Sequence, residues 1–143
     1  MRILILLAAV LSGCGDPAAP FVGTWNGTSI TTVSANGKTL GQNSSVTIPI
    51  SEDPLTGDLV LGDDCGTTAA VRGSGFGLAK PTSCVLPSSA GGCRSLLTMH
   101  AVTGALRDHL LTIAYDGAVA FDQCPAGGAP FDGTFKNIFT GSK

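Results

Sequence analysis

Five cysteines, two histidines, nine aspartates and a single glutamate carry most of the reactive chemistry that this 143-residue chain can offer. Cys14 stands apart, at the end of an apolar run, while Cys65, Cys84, Cys93 and Cys124 form an even set in the body of the chain. An even set in an exported protein points to disulfides, and the absence of any Cys-x-x-Cys element argues against zinc. His109 follows Asp108 and invites a triad with one of the serines, but no Gly-x-Ser-x-Gly elbow supports it, so His100 and His109 are read as structural or surface residues. Asp53, Asp58, Asp63 and Asp64 cluster around one short apolar stretch. Their spacing lacks the pattern of a dedicated calcium loop, so they are read as solvated turn residues. Glu52 is the only glutamate, which narrows any paired-carboxylate mechanism to aspartates without identifying two of them. No glycine-rich run follows a strand and opens a helix to cradle a phosphate. An enzyme needs polar groups converging in one cleft, and the sequence indicates none. The expectation is therefore no catalytic residue, no metal, no cofactor and a non-enzymatic protein.

The segment that positions Cys14 has its own logic. Arg2 supplies a positive charge, residues 3–11 are unbrokenly apolar, and Leu11-Ser12-Gly13-Cys14 closes the run with small residues. Nine residues at about 1.5 Å each cannot cross a hydrocarbon core of roughly 30 Å, so this is a secretory signal with a processing site rather than a membrane span. The quartet resembles the lipobox of bacterial lipoproteins at all four positions. That resemblance implies a diacylglyceryl thioether on Cys14, cleavage before it, and acylation of the new amino terminus by a chain such as palmitate. Thirteen residues before the cysteine is short for the family. Two or more acyl chains make an anchor stable where one does not, at about 0.8 kcal/mol per buried methylene. Asp16 lies third after the cleavage point, Gly15 second, and the family's inner-membrane retention signal at the second position is thus absent. The implied address is the outer membrane of a diderm bacterium, at its periplasmic or surface face.

Loss of residues 1–13 lowers the hydrophobic share from 43% to about 40% and leaves seven basic against ten acidic side chains. That balance provides no cationic footprint for nucleic acid. Residues 14–20, the lipidated cysteine followed by Gly15-Asp16-Pro17-Ala18-Ala19-Pro20, read as a short extended tether with nothing large to bury. Residues 21–143 remain as one folding domain.

Within that domain the pattern is strands and turns. Phe21–Val33, rich in Thr and aromatics, runs to Asn36-Gly37, the strongest two-residue hairpin signal, and should fold back on Thr39–Ile50. Val46, Ile48 and Ile50 alternate with Thr47 and Pro49, giving one buried face, while Pro49 marks an edge or a bulge. Leu59–Leu61, Thr67–Arg72, Phe76–Lys80, Arg94–Thr103, His109–Tyr115 and Phe131–Thr140 follow as strands. Asp116-Gly117 offers a second hairpin signal, and Leu106–Leu111 the one fragment of helical period. The expected fold class is all-β: a single small antiparallel up-and-down barrel, calycin-like, or a barrel-like sandwich of eight or nine strands with two disulfides.

An internal echo favours closure. Phe21-Val22-Gly23-Thr24-Trp25 recurs as Phe131-Asp132-Gly133-Thr134-Phe135, and neighbouring first and last strands would stack these aromatics to close a barrel. Gly23-x-Trp25 also resembles the first-strand motif of lipocalins and other calycins, avidins included. The resemblance covers about five residues and implies a tryptophan packed across the closed end of a barrel. An avidin-like biotin site needs several further tryptophans, and this chain has one. The flanking helix of lipocalins has no counterpart here.

For the disulfides, a hairpin turning at Ser74 sets Cys65 near Cys84 across its open ends, leaving Cys93 for Cys124. The competing arrangement closes the short Cys84–Cys93 loop and joins Cys65 to Cys124. On function, three readings stand: a lipoprotein held to the membrane through Cys14 with a binding or structural role towards a protein partner, a carrier of a small apolar ligand, and an inhibitor of a periplasmic hydrolase. A carrier requires an internal cavity. The aromatic share of 6% and the available Leu, Val and Ile barely fill a core, which weighs against a large one. An inhibitor requires a protruding loop, for which Ser83–Gly92 and Gln123–Pro130 are the candidates.

Overall fold

A computed structural model describes residues 15–86, 92–124 and 131–143 of the chain. Nine antiparallel strands form one sheet: β1 (Gly23–Ala35), β2 (Lys38–Glu52), β3 (Leu59–Leu61), β4 (Thr68–Arg72), β5 (Gly75–Leu78), β6 (Thr82–Leu86), β7 (Arg94–Arg107), β8 (Leu110–Asp122) and β9 (Phe131–Ser142). Each strand pairs with its sequence neighbour except where β5 and β6 lie end to end along the same edge of β7, and β1 pairs with β9. The meander thus returns on itself as a ring, the up-and-down closure expected from the sequence. No α-helix occurs among the described residues.

The turns follow their residues. Asn36 and Gly37, with φ of 51° and 72°, make the two-residue connection between Ala35 and Lys38 that positive-φ hairpins require. Asp108 and His109, with φ of 48° and 66°, do the same between Arg107 and Leu110. The expected turn at Asp116-Gly117 is not formed: both residues lie inside β8, and the Leu106–Leu111 helical fragment is the hairpin itself. Gly117 is needed there for room, since a Cβ would meet Thr98 O at 2.1 Å and the Phe135 ring at 2.6 Å. β6 was not anticipated, because Pro81 and the exposed Ser83 and Val85 obscure its alternation. Pro49 marks the point where one edge of β2 opens, since the β3 ladder begins only at Ile50. It pairs with Thr24, and its carbonyl takes the Gly62 amide just where β3 ends, so its missing N–H interrupts no ladder.

Core side chains come from the inward faces in layers. Trp25 and Ile48 are cross-strand partners near one end, with Ile50, Leu59, Leu61, Leu111, Ile113, Phe76 and Phe139 buried around them. Each such aliphatic side chain, removed from water, contributes about 1.5–3 kcal/mol. Residues 16–22 plug this end. They are not extended as expected: Phe21 N and Val22 N donate to Ala18 O, Asp16 Oδ1 caps the Ala18 amide at 2.8 Å, and Ala18 and Phe21 are buried. Trp25 Nε1 donates to Phe21 O at 2.7 Å, Phe21 meets Phe76 edge-to-face at 5.2 Å, and Lys143 Nζ lies 4.8 Å from the Trp25 ring while donating to Pro20 O. The tryptophan is thus packed into the plugged end of the ring.

β1 and β9 are neighbours, yet Trp25 and Phe135 do not stack. Antiparallel pairing sets Phe135 opposite Val33 and runs Asn26 against Ser142, which sends Trp25 and Phe135 to opposite ends of the ring. The disulfides are Cys65–Cys84 and Cys93–Cys124. β4 and β5 place Val71 opposite Phe76, and the pairing drifts by two residues beyond Leu78 to bring Cys84 to Cys65.

Candidate functional site

β3 is only three residues long and pairs with β2 only across Ile50–Glu52. From Lys38 to Ile48, β2 therefore has β1 on one side and no strand on the other among the described residues. The loop after β3 crosses the gap, and behind it opens a cavity of about 330 Å³. Ser29, Thr31, Ser44, Asn137 and Tyr115 provide its polar wall, Val46, Ile48, Met99 and Phe135 its apolar wall, and Asp63 and Asp64 stand on the loop.

The polar wall is a consequence of strand register. Inward positions of β1 run Trp25, Gly27, Ser29, Thr31, Val33, so the strand turns small and polar halfway along. Thr31 pairs with Asn137 on β9, and Asn137 with Tyr115 on β8, which places three polar side chains in one inward row. Asn137 Nδ2 donates to Ser29 Oγ and to Thr31 Oγ1, each at 2.6 Å. The amide is thereby held by two hydroxyls inside the ring.

The loop is fixed by one carboxylate oxygen. Asp63 Oδ1 accepts from Cys65 N at 3.1 Å and Thr67 N at 3.0 Å, and Cys65 is tied to β6 through Cys84. Its other oxygen, Oδ2, is buried, as is Tyr115 Oη, and the phenol lies within hydrogen-bonding reach of the Asp63 carboxylate; the hydroxyls of Thr67 and Thr68 are buried without a hydrogen-bond partner. Unpaired buried polar atoms are uncommon and costly, at about 1–3 kcal/mol each. Burial raises the Tyr115 phenol well above its ordinary pKa, and the Asp63 carboxylate raises it further through its charge and as the acceptor of the phenol's hydrogen bond. Tyr115 is thus a neutral hydroxyl next to a carboxylate.

Polar side chains do converge in one cleft, against the expectation from sequence. The cleft's lining holds neither histidine nor a free thiol. His100 is exposed at the bulge where the β7–β8 register shifts, and His109 is exposed in its turn. Asp53 caps Leu55 N at 2.8 Å, a turn role as read. No group of three or more His, Cys, Asp or Glu able to hold a metal occurs among the described residues. Of the residues singled out beforehand, Cys65 and the pair Asp63 and Asp64 border the cavity, and Cys84 reaches it only through its disulfide. Cys93 and Cys124 join the ends of β7 and β8, where Arg94 Nε also donates to Asp122 Oδ1 at 2.7 Å. Ser29, Thr31, Ser44, Asn137 and Tyr115 were missed. The signal that reveals them is the polar inward face of β1, together with an asparagine between Phe135 and Phe139 on the inward face of β9. Cys14 lies outside the described residues, as do residues 87–91 and 125–130 of the two candidate inhibitory loops; Ser83–Leu86 of the first belong to β6. No protein-family model matches the chain, and no curated protein matches it.

Proposed function

We propose that this chain is a lipoprotein held through Cys14 at the periplasmic or surface face of a diderm outer membrane, with a non-enzymatic role: binding a small molecule in the cavity behind the β3–β4 loop. The anchor reading rests on Leu11-Ser12-Gly13-Cys14 behind its apolar run. The binding reading rests on a single observation. A folded ring with apolar layers at its closed end keeps a cavity of about 330 Å³ on a wall of inward-facing polar side chains. Ligand pockets begin near this size, and convergent polar groups on an apolar surface are their usual lining. The cavity suits a molecule of roughly a dozen heavy atoms, which favours a small ligand over a lipid.

Intact mass spectrometry of the chain purified from membranes tests both halves. Under denaturing conditions the mass should show loss of residues 1–13 and gain of acyl groups, both abolished in Cys14→Ser. Under native conditions a reproducible small-molecule adduct should accompany the polypeptide. An unacylated chain overturns the anchor, and a bare native mass overturns the binding role.

A further inference from the structure

We infer that the Trp25 end of the ring is a membrane-docking face, seated on the phospholipid surface with Leu55 at the point of contact; the inference rests on the anchor at Cys14 proposed above. The tether restricts the posture of the ring. Residues 16–22 are packed as the plug, with Ala19 N donating to Asp16 O and Ala18 N to Asp16 Oδ1. Gly15 alone therefore separates the acylated cysteine from folded chain, a reach of at most about 7 Å from Cys14 to Asp16. What stands beside that attachment is apolar. The Glu52 carboxyl lies within hydrogen-bonding reach of Asp16, which raises its pKa and sets the β2–β3 turn against the start of the tether. On that turn Leu55 is 92% exposed, the most exposed large hydrophobic side chain among the described residues. The turn is built to hold it out: Asp53 Oδ1 accepts from Leu55 N, Asp53 O accepts from Gly57 N, and Asp53 N donates to Asp58 O, each at 2.8 Å. Leu110, 49% exposed, begins β8 at the same end, since Leu111 pairs with Gly141 and Gly141 with Gly27. A leucine already fixed beside an acyl anchor enters the bilayer interface with little further loss of chain freedom. Charge does not choose the lipid, because exposed Arg72, Arg107 and Lys143 are offset at this end by Asp16, Glu52 and Asp108. The contact is apolar and suits zwitterionic phospholipid. Ser29, Thr31 and Asn137 of the cavity lie beyond the Trp25 layer from this end, so seating leaves the cavity on the side of water.

The test places the acylated chain, purified from membranes, in nanodiscs of phosphatidylcholine carrying a small fraction of lipid with a gadolinium-chelated headgroup, and reads amide NMR intensity residue by residue. The amides of Leu55, Gly73, His109 and Lys143 should lose intensity, whereas those of Asn36, Gly37 and Arg94 at the opposite end keep theirs. Leu55→Asn, a change at a side chain in open water, should restore most of the intensity lost at residues 53–58 while leaving the amide shifts of the ring unchanged. In the unmutated chain the pattern should persist as the salt concentration is raised, a reading independent of any variant's folding. Equal loss at both ends, a pattern untouched by Leu55→Asn, or a pattern abolished by salt overturns the apolar seat and leaves the anchor standing. A purified chain whose intact mass carries no acyl group overturns the anchor itself.

Discussion

At the level of single residues, Tyr115 is the most informative side chain in the molecule. It is the only tyrosine, so its ionisation is spectroscopically isolated. Burial and the Asp63 charge raise its pKa in the folded chain, whereas the unfolded chain returns it to about 10. A raised pKa favours the neutral form, so the folded state keeps this contribution in full below pH about 10 and loses it as pH rises beyond that value. Tyrosinate absorbance should accordingly be absent from the native chain at pH 11 and appear only as the ring unfolds. A reversible tyrosinate signal that rises at pH 10 while the fluorescence of Trp25 stays native would show the phenol to be solvated rather than packed against Asp63. Trp25 is suited to act as the reporter, since it is 2% exposed and fixed by its bond to Phe21 O.

Among the elements, β5 closes the ring against β7. It joins β7 through three residue pairs, Gly75–Ala105, Phe76–Gly104 and Gly77–Thr103, and Phe76 sits over Gly104 so closely that a Cβ there would lie 2.0 Å from the ring. Gly104→Ala should therefore displace Phe76, disturb its edge-to-face contact with Phe21, and cost about 1–3 kcal/mol. Combined with Phe76→Leu, which vacates part of that space, the same alanine should cost less than about 1 kcal/mol, measured as a double-mutant cycle in urea. An equal cost in both backgrounds would mean that the ring does not set the requirement for glycine. This dependence was not visible in the sequence, because it joins residues 28 positions apart in neighbouring strands. What was visible was local: Asn36-Gly37 announced its hairpin, and the alternation at Val46, Ile48 and Ile50 marked an inward face. Asp116-Gly117 carried the same dipeptide signal as a turn and became strand, since the pairing of β8 with both β7 and β9 outweighs a local preference. The cavity wall was harder still. Ser29, Thr31 and Asn137 read singly as ordinary polar strand residues, and only register, which depends on β1 meeting β9, sets them side by side.

For the molecule as a whole, closure is uneven, and the two disulfides serve different parts of it. At the closed end the ring is continuous and plugged by residues 16–22, with the tether, Lys143 and the Trp25 layer packed together. Farther from the tether, β2 loses its β3 neighbour, and the connection across the opening includes the loop at Asp63–Thr67, pinned to β6 by Cys65–Cys84. Cys93–Cys124 instead joins strands that already pair along their whole length. Loop-closure entropy alone makes the two bridges nearly equal, at about 3–4 kcal/mol each for spans of 19 and 31 residues. Their local effects should differ. Replacing Cys65 and Cys84 by serine should release the loop and speed hydrogen exchange at the amides of residues 65 and 67 that Asp63 accepts, while exchange at the Trp25 layer changes little. Replacing Cys93 and Cys124 should lower global stability by a similar amount without selectively exposing those two amides. Hydrogen exchange on the two double variants, compared at equal distance from their unfolding midpoints, separates these outcomes. If both variants open the loop equally, the Cys65–Cys84 bridge is a general staple, and the cavity mouth owes its shape to Asp63 and the β3 turn alone.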